Sequence, residues 1–478
     1  MSVVPTAPYE GQTMDLASPR KRSPQAGAAP KAKLDILDGS ITPTLLRLAL
    51  PTVIVLVVQT GVGVAETYFI SFLGTEAMAG VTLVFPVLML MQMMSNGGIG
   101  GGVSSAVARS IGANRRSDAD ALVWHSVVLA IVFGLAFSIA AILFGSILYR
   151  SMGATGSALS AALTYSGITF AGSIPIWITA LLSSALRGAG NVKVPAIVIV
   201  LGAVIMLALS PPLIFGWGPI PALGVAGGGI AVVAYYLIAA IVLALYLRSS
   251  RSPLKLKAVP LERRLFKDIL GVGLLSAVGT VQVNLTVTLV TAAVGHFGTD
   301  AIAGFGIASR LDYLQIPIIF GLGTAIVTMV GINMGAGQFD RARKISWIGA
   351  GIAFGITQAI GVAAALFPHI WMALFTSDPA VNQMGSHYLQ IVAPAYGAVG
   401  LGLALNFASQ GTGRVLLPVL AVTVRMIIAA FVGWSAVIWY GASMGMLFQI
   451  VALGAVAYGA LTAAAVLPKR VFSLRRKD

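Results

Sequence analysis

The feature that most constrains this chain is a succession of apolar stretches, each about 20 or more residues long, over nearly its whole length. A single α-helix of that length crosses the hydrocarbon core of a bilayer, whereas a β-barrel would show alternating apolar and polar residues over about ten positions. The chain is 58% hydrophobic and only 9% charged, against about 25% charged residues in soluble proteins. We therefore predict an all-α integral membrane protein.

Polar and Gly/Pro-rich joints divide the chain into about twelve predicted spans. Their limits are 44–72, 77–112, 119–148, 157–186, 191–214, 223–248, 266–296, 300–335, 341–374, 380–410, 415–440 and 444–468. Residues 1–43 are rich in Pro, Ser, Ala and basic residues, which predicts a disordered tail without a cleavable signal peptide. Residues 249–265 form the one substantial polar joint, which we predict to be the linker between the two halves of the chain, and residues 469–478 form a second tail.

The 30 Lys and Arg residues collect at alternate joints. One set of joints holds Arg109, Arg115 and Arg116; Arg187 and Lys193; residues 248–267; Arg341, Arg343 and Lys344; and Arg414. The other set holds only Arg150, and both termini are basic. Since positively charged short loops stay in the cytosol, we predict an inner-membrane protein with both termini cytoplasmic. The net charge of +15 is then explained by the basic joints that hold the chain in this orientation and by their attraction to anionic lipid. We expect no nucleic-acid partner, because no basic patch is interleaved with stacking aromatics.

The two halves of the chain resemble each other at one displacement. "ALRGAGNVKVP" (185–195) matches "ASQGTGRVLLP" (408–418), and "SIGANRRSDA" (110–119) matches "NMGAGQFDRA" (333–342), so the residue numbers differ by 223 in both cases. Tyr165 and Tyr388 keep this spacing, whereas "GTEAMAG" (74–80) matches "GTDAIAG" (298–304) at 224, so a one-residue slip lies between. Each half has six predicted spans, and an even number of spans returns the chain to the side of the membrane on which it started. We therefore predict two parallel six-helix lobes, 44–248 and 266–468, around a central cleft.

Acidic residues are scarce enough to be placed one by one. Of the 15 Asp and Glu residues, only Glu66 and Asp312 lie inside predicted spans rather than in tails, at joints or beside the linker. A charged side chain at the centre of a spanning helix costs about 3 kcal/mol and usually marks an ion or substrate route. Glu66 shares a helix face with Gln59 and Thr52, seven and fourteen positions earlier, which makes Gln59 a further cation-coupling candidate and Thr52 a candidate for the cleft lining. We hypothesise that Glu66 couples transport to a cation, a proton or Na⁺; the alternative is a structural carboxyl held by Asn, Gln or Tyr.

Other in-span polar residues are candidates for the lining of the cleft. Asp312 follows Arg310 by two positions, and such side chains do not face each other on a helix. We therefore expect each to have another partner, or Asp312 to turn toward the cleft; the alternative is a charge-satisfied structural pair near the helix entry. Asn284 and Thr288 share a polar face with Thr280 and Thr291, suited to a wet cleft or equally to helix packing. "MLMQMMSN" (89–96) contains Met93, an adaptable contact for varied substrates or else ordinary core.

Motifs for enzymatic chemistry are weak. "GASMG" (441–445) fits G-x-S-x-G, yet it joins two predicted membrane helices rather than a strand and a helix. The four His residues are scattered, cysteine is absent, and "NGGIGGG" (96–102) lacks the Lys-Ser/Thr of a phosphate loop. We expect no enzyme activity, no cofactor and no resident metal, apart from a transient Na⁺ near Glu66.

The chain resembles the multidrug and toxic compound extrusion (MATE) transporters, particularly the bacterial type grouped with DNA-damage-inducible transporters. The resemblance covers about residues 40–465. It is carried by "LALP" (48–51), "QTGVGVAET" (59–67), "FLGTEAMAG" (72–80), "LRGAGNVKVP" (186–195), "PPLIFGWGPIPALGVAGGGIA" (211–231) and "GIASRLDYLQIPIIFGLGTAIVTMVGINMGAGQFDRAR" (306–343). It implies twelve helices in two lobes and export of cationic or amphipathic compounds in exchange for H⁺ or Na⁺.

The resemblance also assigns roles to residues. Glu66 takes the place of the family's first-helix aspartate, and Pro51 matches the first-helix proline, where the helix is expected to bend. The Asn and Asp that many bacterial members carry before "PLLIFG" are replaced here by Met206 and Ser210, and Gln282 stands where other members carry an acid. Ser210 thus joins the cation-coupling candidates and Gln282 the cleft candidates, and the coupling ion stays open.

We therefore expect a monomeric secondary active multidrug exporter that works by alternating access. Two alternatives remain. A lipid-linked saccharide flippase would be expected to have a more cationic cleft than Arg310 and Arg425 provide. A passive channel would be expected to have a ring of charged pore-lining residues, which the sequence does not indicate.

Overall fold

The computed structural model describes residues 36–219 and 221–472, which are helical with no β-strand element in these ranges. Within these ranges, eleven helices are long and apolar enough to cross a membrane, and one bent pair makes a twelfth span. The helices are α1 Ile41–Ser71, α2 Thr75–Gly112, α3 Arg116–Ser151, α4 Gly156–Ala171, α5 Ser173–Gly188, α6 Lys193–Phe215, α7 Val225–Arg248, α8 Arg263–Gly295, α9 Thr299–Gly335, α10 Phe339–Leu366, α11 Pro368–Ala373, α12 Pro379–Thr412, α13 Leu416–Tyr440 and α14 Met444–Val466. The predicted helical membrane fold is confirmed.

Two predicted spans are interrupted. The span predicted at 157–186 is the pair α4 and α5, bent by 49° at Gly172. The span predicted at 341–374 ends at Leu366, and Pro368 starts the separate short helix α11. Proline lacks an N–H and disfavours helical geometry in the residue before it. Phe367 accordingly leaves the helical region, with φ −126° and ψ 48°.

The predicted tails are shorter than expected where the structure describes them. Residues 1–35 and 473–478 lie outside the described residues. Residues 36–38 are helical, α1 begins at Ile41, and Ile36 is 2% exposed. Arg341 donates a hydrogen bond to the carbonyl of Gly39. This segment therefore packs against the second half of the chain instead of belonging to the predicted tail, and the buried Phe472 does the same at the other end.

The sequence repeat is reproduced in the backbone. Left-handed φ angles recur in pairs, at Gly74 (105°) and Gly298 (101°), at Asn114 (59°) and Gly337 (77°), and at Gly190 and Gly413 (both 79°). The residue numbers differ by 224 in the first pair and by 223 in the other two. Corresponding turns of the two lobes therefore have the same geometry.

The one-residue slip lies in α2. Residues Met94–Ile99 form a π-helical turn between the α-helical segments Thr75–Met93 and Gly100–Gly112. A π turn bonds i to i+5 rather than i+4, so it absorbs one extra residue without breaking the helix. α9, its counterpart in the second lobe, is α-helical from Thr299 to Gly335.

The two lobes exchange the beginnings of their first helices. Leu45, Leu48 and Ala49 of α1 belong to a core cluster made mostly by the second lobe, whereas Val55 and Val62 belong to that of the first. Reciprocally, Ile269 of α8, the repeat counterpart of Leu45, is buried in the core of the first lobe. The predicted lobes 44–248 and 266–468 therefore interlock through α1 and α8.

We call the membrane side that holds the Lys- and Arg-rich joints the basic face. The lobes are packed tightly near it. Every residue from Gly321 to Met334 of α9 is buried. A Cβ atom on Gly112 of α2 would lie 2.0 Å from the carbonyl oxygen of Ile332, and one on Gly335 would lie 2.1 Å from that of Arg109. Small residues thus let the two helices touch along their backbones.

The inter-lobe linker is folded onto the first lobe at this face. Arg264, a predicted linker residue that lies in the first turn of α8, forms a bidentate salt bridge with Asp118, at 2.9 and 3.0 Å. His125 Nε2 accepts a hydrogen bond from the backbone N–H of Glu262 at 2.8 Å, while its Nδ1 lies 2.8 Å from the carbonyl of Ala121. This pairing requires the neutral imidazole with its proton on Nδ1.

Candidate functional site

Glu66 lies inside the first lobe on α1. It is 9% exposed, and its Oε1 accepts a hydrogen bond of 2.7 Å from the hydroxyl of Tyr165 on α4. A Cβ atom on Gly228 of α7 would lie 3.5 Å from the same oxygen. The carboxyl is therefore enclosed by three helices rather than turned toward lipid, and among the described residues its second oxygen has no hydrogen-bond partner.

The other two candidates for cation coupling, Gln59 and Ser210, and the cleft candidate Thr52 lie on helices that pack around Glu66. Gln59, two turns earlier on α1, lies beside the hydroxyl of Tyr235 on α7. Ser210 on α6 is 1% exposed, and its hydroxyl has no partner within the described parts of the chain. Thr52 is buried next to Pro51, which lies inside the unbroken helix α1. α1 packs against both α6 and α7.

Asp312 lies in the second lobe, on α9. Its Oδ2 accepts a hydrogen bond of 2.9 Å from the hydroxyl of Tyr388 on α12, and the Tyr388 ring packs edge-on against Phe305. Arg310 takes a separate partner, with its guanidinium 5.6 Å from the centre of the Phe375 ring. The i, i+2 spacing predicts such separate partners. Asp312 is thus held by the second lobe's own helices.

The carboxyls of the two lobes are bound by equivalent tyrosines. Tyr165 and Tyr388 are repeat counterparts, and each donates a hydrogen bond to the in-span carboxyl of its lobe. The carboxyls themselves are not equivalent, because Glu66 comes from the first helix of its lobe and Asp312 from the second. The hydrogen-bond donor is therefore the equivalent tyrosine in both lobes, whereas the accepting carboxylate lies on the first helix of one lobe and on the second helix of the other.

The cleft candidates on α8 are only partly brought together. The side-chain amide of Asn284 lies 3.7 Å from the sulfur of Met93 on α2, so these two meet across the lobes. Gln282 donates to Thr423 on α13 at 2.8 Å, a contact inside the second lobe. Thr288 is exposed and donates to the carbonyl of Asn284 at 3.0 Å.

The weak enzyme motif has a structural explanation. The hydroxyl of Ser443 in "GASMG" accepts a hydrogen bond from the N–H of Met446 at 3.3 Å and so caps the start of α14. No group of three His, Asp or Glu residues that could hold a metal lies within the described residues.

Tyr165 and Arg187 have buried positions that the sequence does not predict. The sequence marks Tyr165 only by its spacing from Tyr388, and that shared spacing is the available signal for its role. Arg187 is predicted to lie at a basic joint but is in the last turn of α5, where it is 6% exposed. Nothing local in "ALRGAG" distinguishes a buried arginine from a loop arginine.

Two interlocked six-helix lobes, with one carboxyl enclosed in each, define a multi-pass membrane protein of the transporter class. The MatE family model matches residues 51–211 and again residues 276–435, once in each lobe and about two thirds of the chain in total. The chain belongs to the MatE family of transporters.

Relatives and solved structures agree with this assignment. The chain is 27% identical over 381 residues to a protein named FAD transporter from Shewanella oneidensis, covering 79% of this chain and 84% of that one. It is 29% identical over 420 residues to a probable multidrug resistance protein, NorM, from Thermotoga maritima, covering 87% and 88%. A MOP superfamily transporter from Pyrococcus furiosus superposes with a TM-score of 0.83 at 25% identity, covering 91% of this chain and 97% of that one.

Proposed function

We propose that this protein is a secondary active exporter of cationic or amphipathic organic compounds, driven by inward movement of H⁺ or Na⁺. The observation that carries the proposal is Glu66, a carboxyl enclosed by three helices with a tyrosine on one oxygen and, among the described residues, no partner on the other. A free carboxyl oxygen in such a place can bind a proton or Na⁺, and the neutralised group then no longer attracts a cationic substrate.

α1 provides the mechanical link. Its first turns pack in the core of the second lobe and its later turns in the core of the first, with Pro51 between the two parts. A proline removes one backbone hydrogen bond and is a common site of helix bending. We propose that cation binding at Glu66 moves α1 about Pro51 and thereby changes how the lobes meet, so that the cleft opens alternately to each side.

The orientation is part of the proposal. We place the basic face in the cytosol of a cell with an inner membrane, with both termini on that side, because the positive joints are short. Contact between lobes near this face, as at Gly112 and Ile332, then describes a cleft closed toward the cytosol. We propose a monomer in contact with membrane lipid. The DNA-damage-inducible subgroup stays a prediction.

A second substrate class is favoured by one relative. The FAD transporter of Shewanella oneidensis carries an anionic dinucleotide by name, and its match extends over 79% of this chain. Transport of such an anion by this chain is the alternative that an experiment should separate from export of organic cations. Flippase and channel activity are the further alternatives.

Efflux from proteoliposomes tests these proposals. Vesicles are loaded with ethidium or with FAD, and a pH gradient or a Na⁺ gradient is imposed separately. We expect ethidium to leave only when one of the two gradients is present, since the coupling ion drives the exchange. Efflux of FAD but not of ethidium from the vesicles would indicate an anionic substrate class in place of the cationic one. Efflux of either compound without any gradient would indicate a channel.

Glu66→Gln is the decisive variant, because it keeps the size of the side chain and removes its charge and its proton exchange. We expect the gradient-driven efflux to disappear. Glu76→Gln is the matched control, because Glu76 is exposed at a joint, where it accepts a hydrogen bond from Ser157. Efflux by Glu66→Gln with an unchanged pH or Na⁺ dependence would reject the proposed coupling site.

A further inference from the structure

A small cavity lies between the lobes near the basic face. Its walls come from α2 and α5 of the first lobe and from α9 and α12 of the second. Eight of its ten lining residues form four pairs of repeat counterparts: Gly101 with Thr324, Ser104 with Val327, Ser184 with Phe407, and Arg187 with Gln410. The cavity therefore lies on the axis that relates the two lobes, and it has room for one water molecule or an ion of similar size.

Arg187 brings a charge into this cavity. Its Nη2 donates to Ser184 Oγ at 2.7 Å, and its own carbonyl accepts a hydrogen bond of 2.9 Å from Thr328 of the other lobe. Within the described residues no carboxylate pairs with it. A guanidinium has five N–H donors, and burying one without a counter-charge costs several kcal/mol. The cavity thus contains an uncompensated positive charge with unused donors.

Further polar atoms at the cavity lack partners. The buried Ser104 Oγ and Gln410 Oε1 make no hydrogen bond to any described residue. The Ser104 hydroxyl is a free donor from α2 and Arg187 a donor from α5, while Val327 and Phe407 supply apolar wall. Water would satisfy these donors but not balance the charge, and a cation would be repelled by Arg187. A monovalent anion accepts from both donors and balances the charge, and it leaves Gln410 Oε1, which is itself an acceptor, without a partner.

We propose that this axial cavity binds a monovalent anion of the size of chloride, held by Arg187, and that the bound anion stabilises contact between the lobes at the basic face. Both lobes contribute to the walls, so separating them there takes the site apart. A ligand that binds only one of two states shifts the population toward that state. The effect on lobe contact rests on the alternating access proposed above, whereas anion binding itself does not.

Thermal unfolding of the purified protein tests the binding. Sodium chloride is titrated against sodium gluconate at constant ionic strength, since gluconate is too large for the cavity. We expect a saturable rise of the unfolding midpoint with chloride, as for any ligand of the folded state. Arg187→Gln should abolish the rise and Ser104→Ala should weaken it, so the test survives poor folding of the first variant. Ser183→Ala is the matched control, because Ser183 is buried with a hydroxyl that no described residue binds, and it does not line the cavity.

A distance measurement tests the effect on the lobes. The chain has no cysteine, so spin labels can be attached at Ser117→Cys and Asp340→Cys, two exposed repeat counterparts at the basic face. We expect the short-distance population to grow when chloride replaces gluconate, and Arg187→Gln to lose this response.

The contrary outcomes are definite. Equal unfolding midpoints in chloride and gluconate would mean that the cavity holds water and would overturn the site. A chloride response that persists in Arg187→Gln would place the anion elsewhere. Binding without any change in the distance distribution would overturn the proposed stabilisation of lobe contact. Neither measurement uses substrate or an ion gradient, so these failures are distinct from failure of exchange at Glu66.

Discussion

At the scale of single residues, the polarity of the sequence locates the key carboxyls but not their partners. Glu66 stands out because its neighbours along the chain are apolar. Tyr165 is far from it in sequence, and only the packing of α4 on α1 brings its hydroxyl to 2.7 Å from the carboxyl. Buried polar groups need hydrogen-bond partners, so the sequence predicts that Glu66 has a polar partner. Which residue is that partner depends on the tertiary structure.

Replacing Tyr165 by Phe should change the pH dependence of transport. The hydroxyl stabilises the charged carboxylate by a hydrogen bond, and such a bond to a charged group contributes about 1.5–3 kcal/mol. Without it Glu66 should hold a proton up to higher pH, so the pH of half-maximal ethidium efflux should rise by about one unit or more. The measurement is initial efflux rate from proteoliposomes against pH.

Tyr149→Phe is the matched control for that shift. Tyr149 is also a buried tyrosine of the first lobe, on α3, and its hydroxyl lies beside Ser166 rather than beside the carboxyl. We expect its pH profile to follow that of the unaltered protein. A profile for Tyr165→Phe that coincides with that of Tyr149→Phe would show that the hydrogen bond from Tyr165 to Glu66 has no part in coupling.

At the scale of helices, the sequence predicts most limits within a few residues, and the exceptions have local causes. Pro368 ends a predicted span early. The repeat counterpart of Gly172, where the first-lobe span bends, is Ala395 in the 3₁₀ turn Ala393–Ala395 of α12. Neither the bend nor the turn interrupts the hydrophobic run, which is why hydropathy alone predicts one straight span in each place.

The glycines where α2 and α9 meet should be intolerant of a methyl group. In Gly112→Ala the new Cβ would lie 2.0 Å from the backbone oxygen of Ile332, which cannot rotate away. Overpacking of this kind costs about 1–3 kcal/mol. We expect a lower thermal unfolding midpoint and, with labels at Ser117→Cys and Asp340→Cys, a longer distance between the lobes at the basic face.

Gly355→Ala is the comparison for this substitution. Gly355 is exposed on α10, and a Cβ there would meet nothing within 4 Å. Alanine favours a helix over glycine by about 1 kcal/mol, so its midpoint should stay the same or rise. Equal effects of the two substitutions would mean that the helices separate without cost at Gly112.

At the scale of the whole molecule, the internal repeat predicts more about the arrangement of the helices than their hydrophobicity does. Its nearly constant displacement predicts two parallel lobes, and the left-handed turns at Gly74 and Gly298 show that it extends to the backbone. What the repeat could not predict is the exchange of helix beginnings between lobes. Leu45 and Ile269 are apolar residues that suit the core of either lobe. The sequence therefore does not show whether each of them packs in its own lobe or in the other lobe.

The orientation of the whole molecule can be tested with the same cysteine-free background. Ser250 is exposed in the linker at the basic face, and Ser377 is exposed in the joint between α11 and α12 at the opposite face. With a membrane-impermeant maleimide added to intact cells, we expect Ser377→Cys to react and Ser250→Cys to react only after permeabilisation, because short positive joints are retained in the cytosol. Reversed reactivity would place Arg115, Arg116 and the linker outside the cell. The basic-face contacts between α2 and α9 would then close the cleft toward the exterior, and separating these two helices would open it to the outside of the cell rather than to the cytosol.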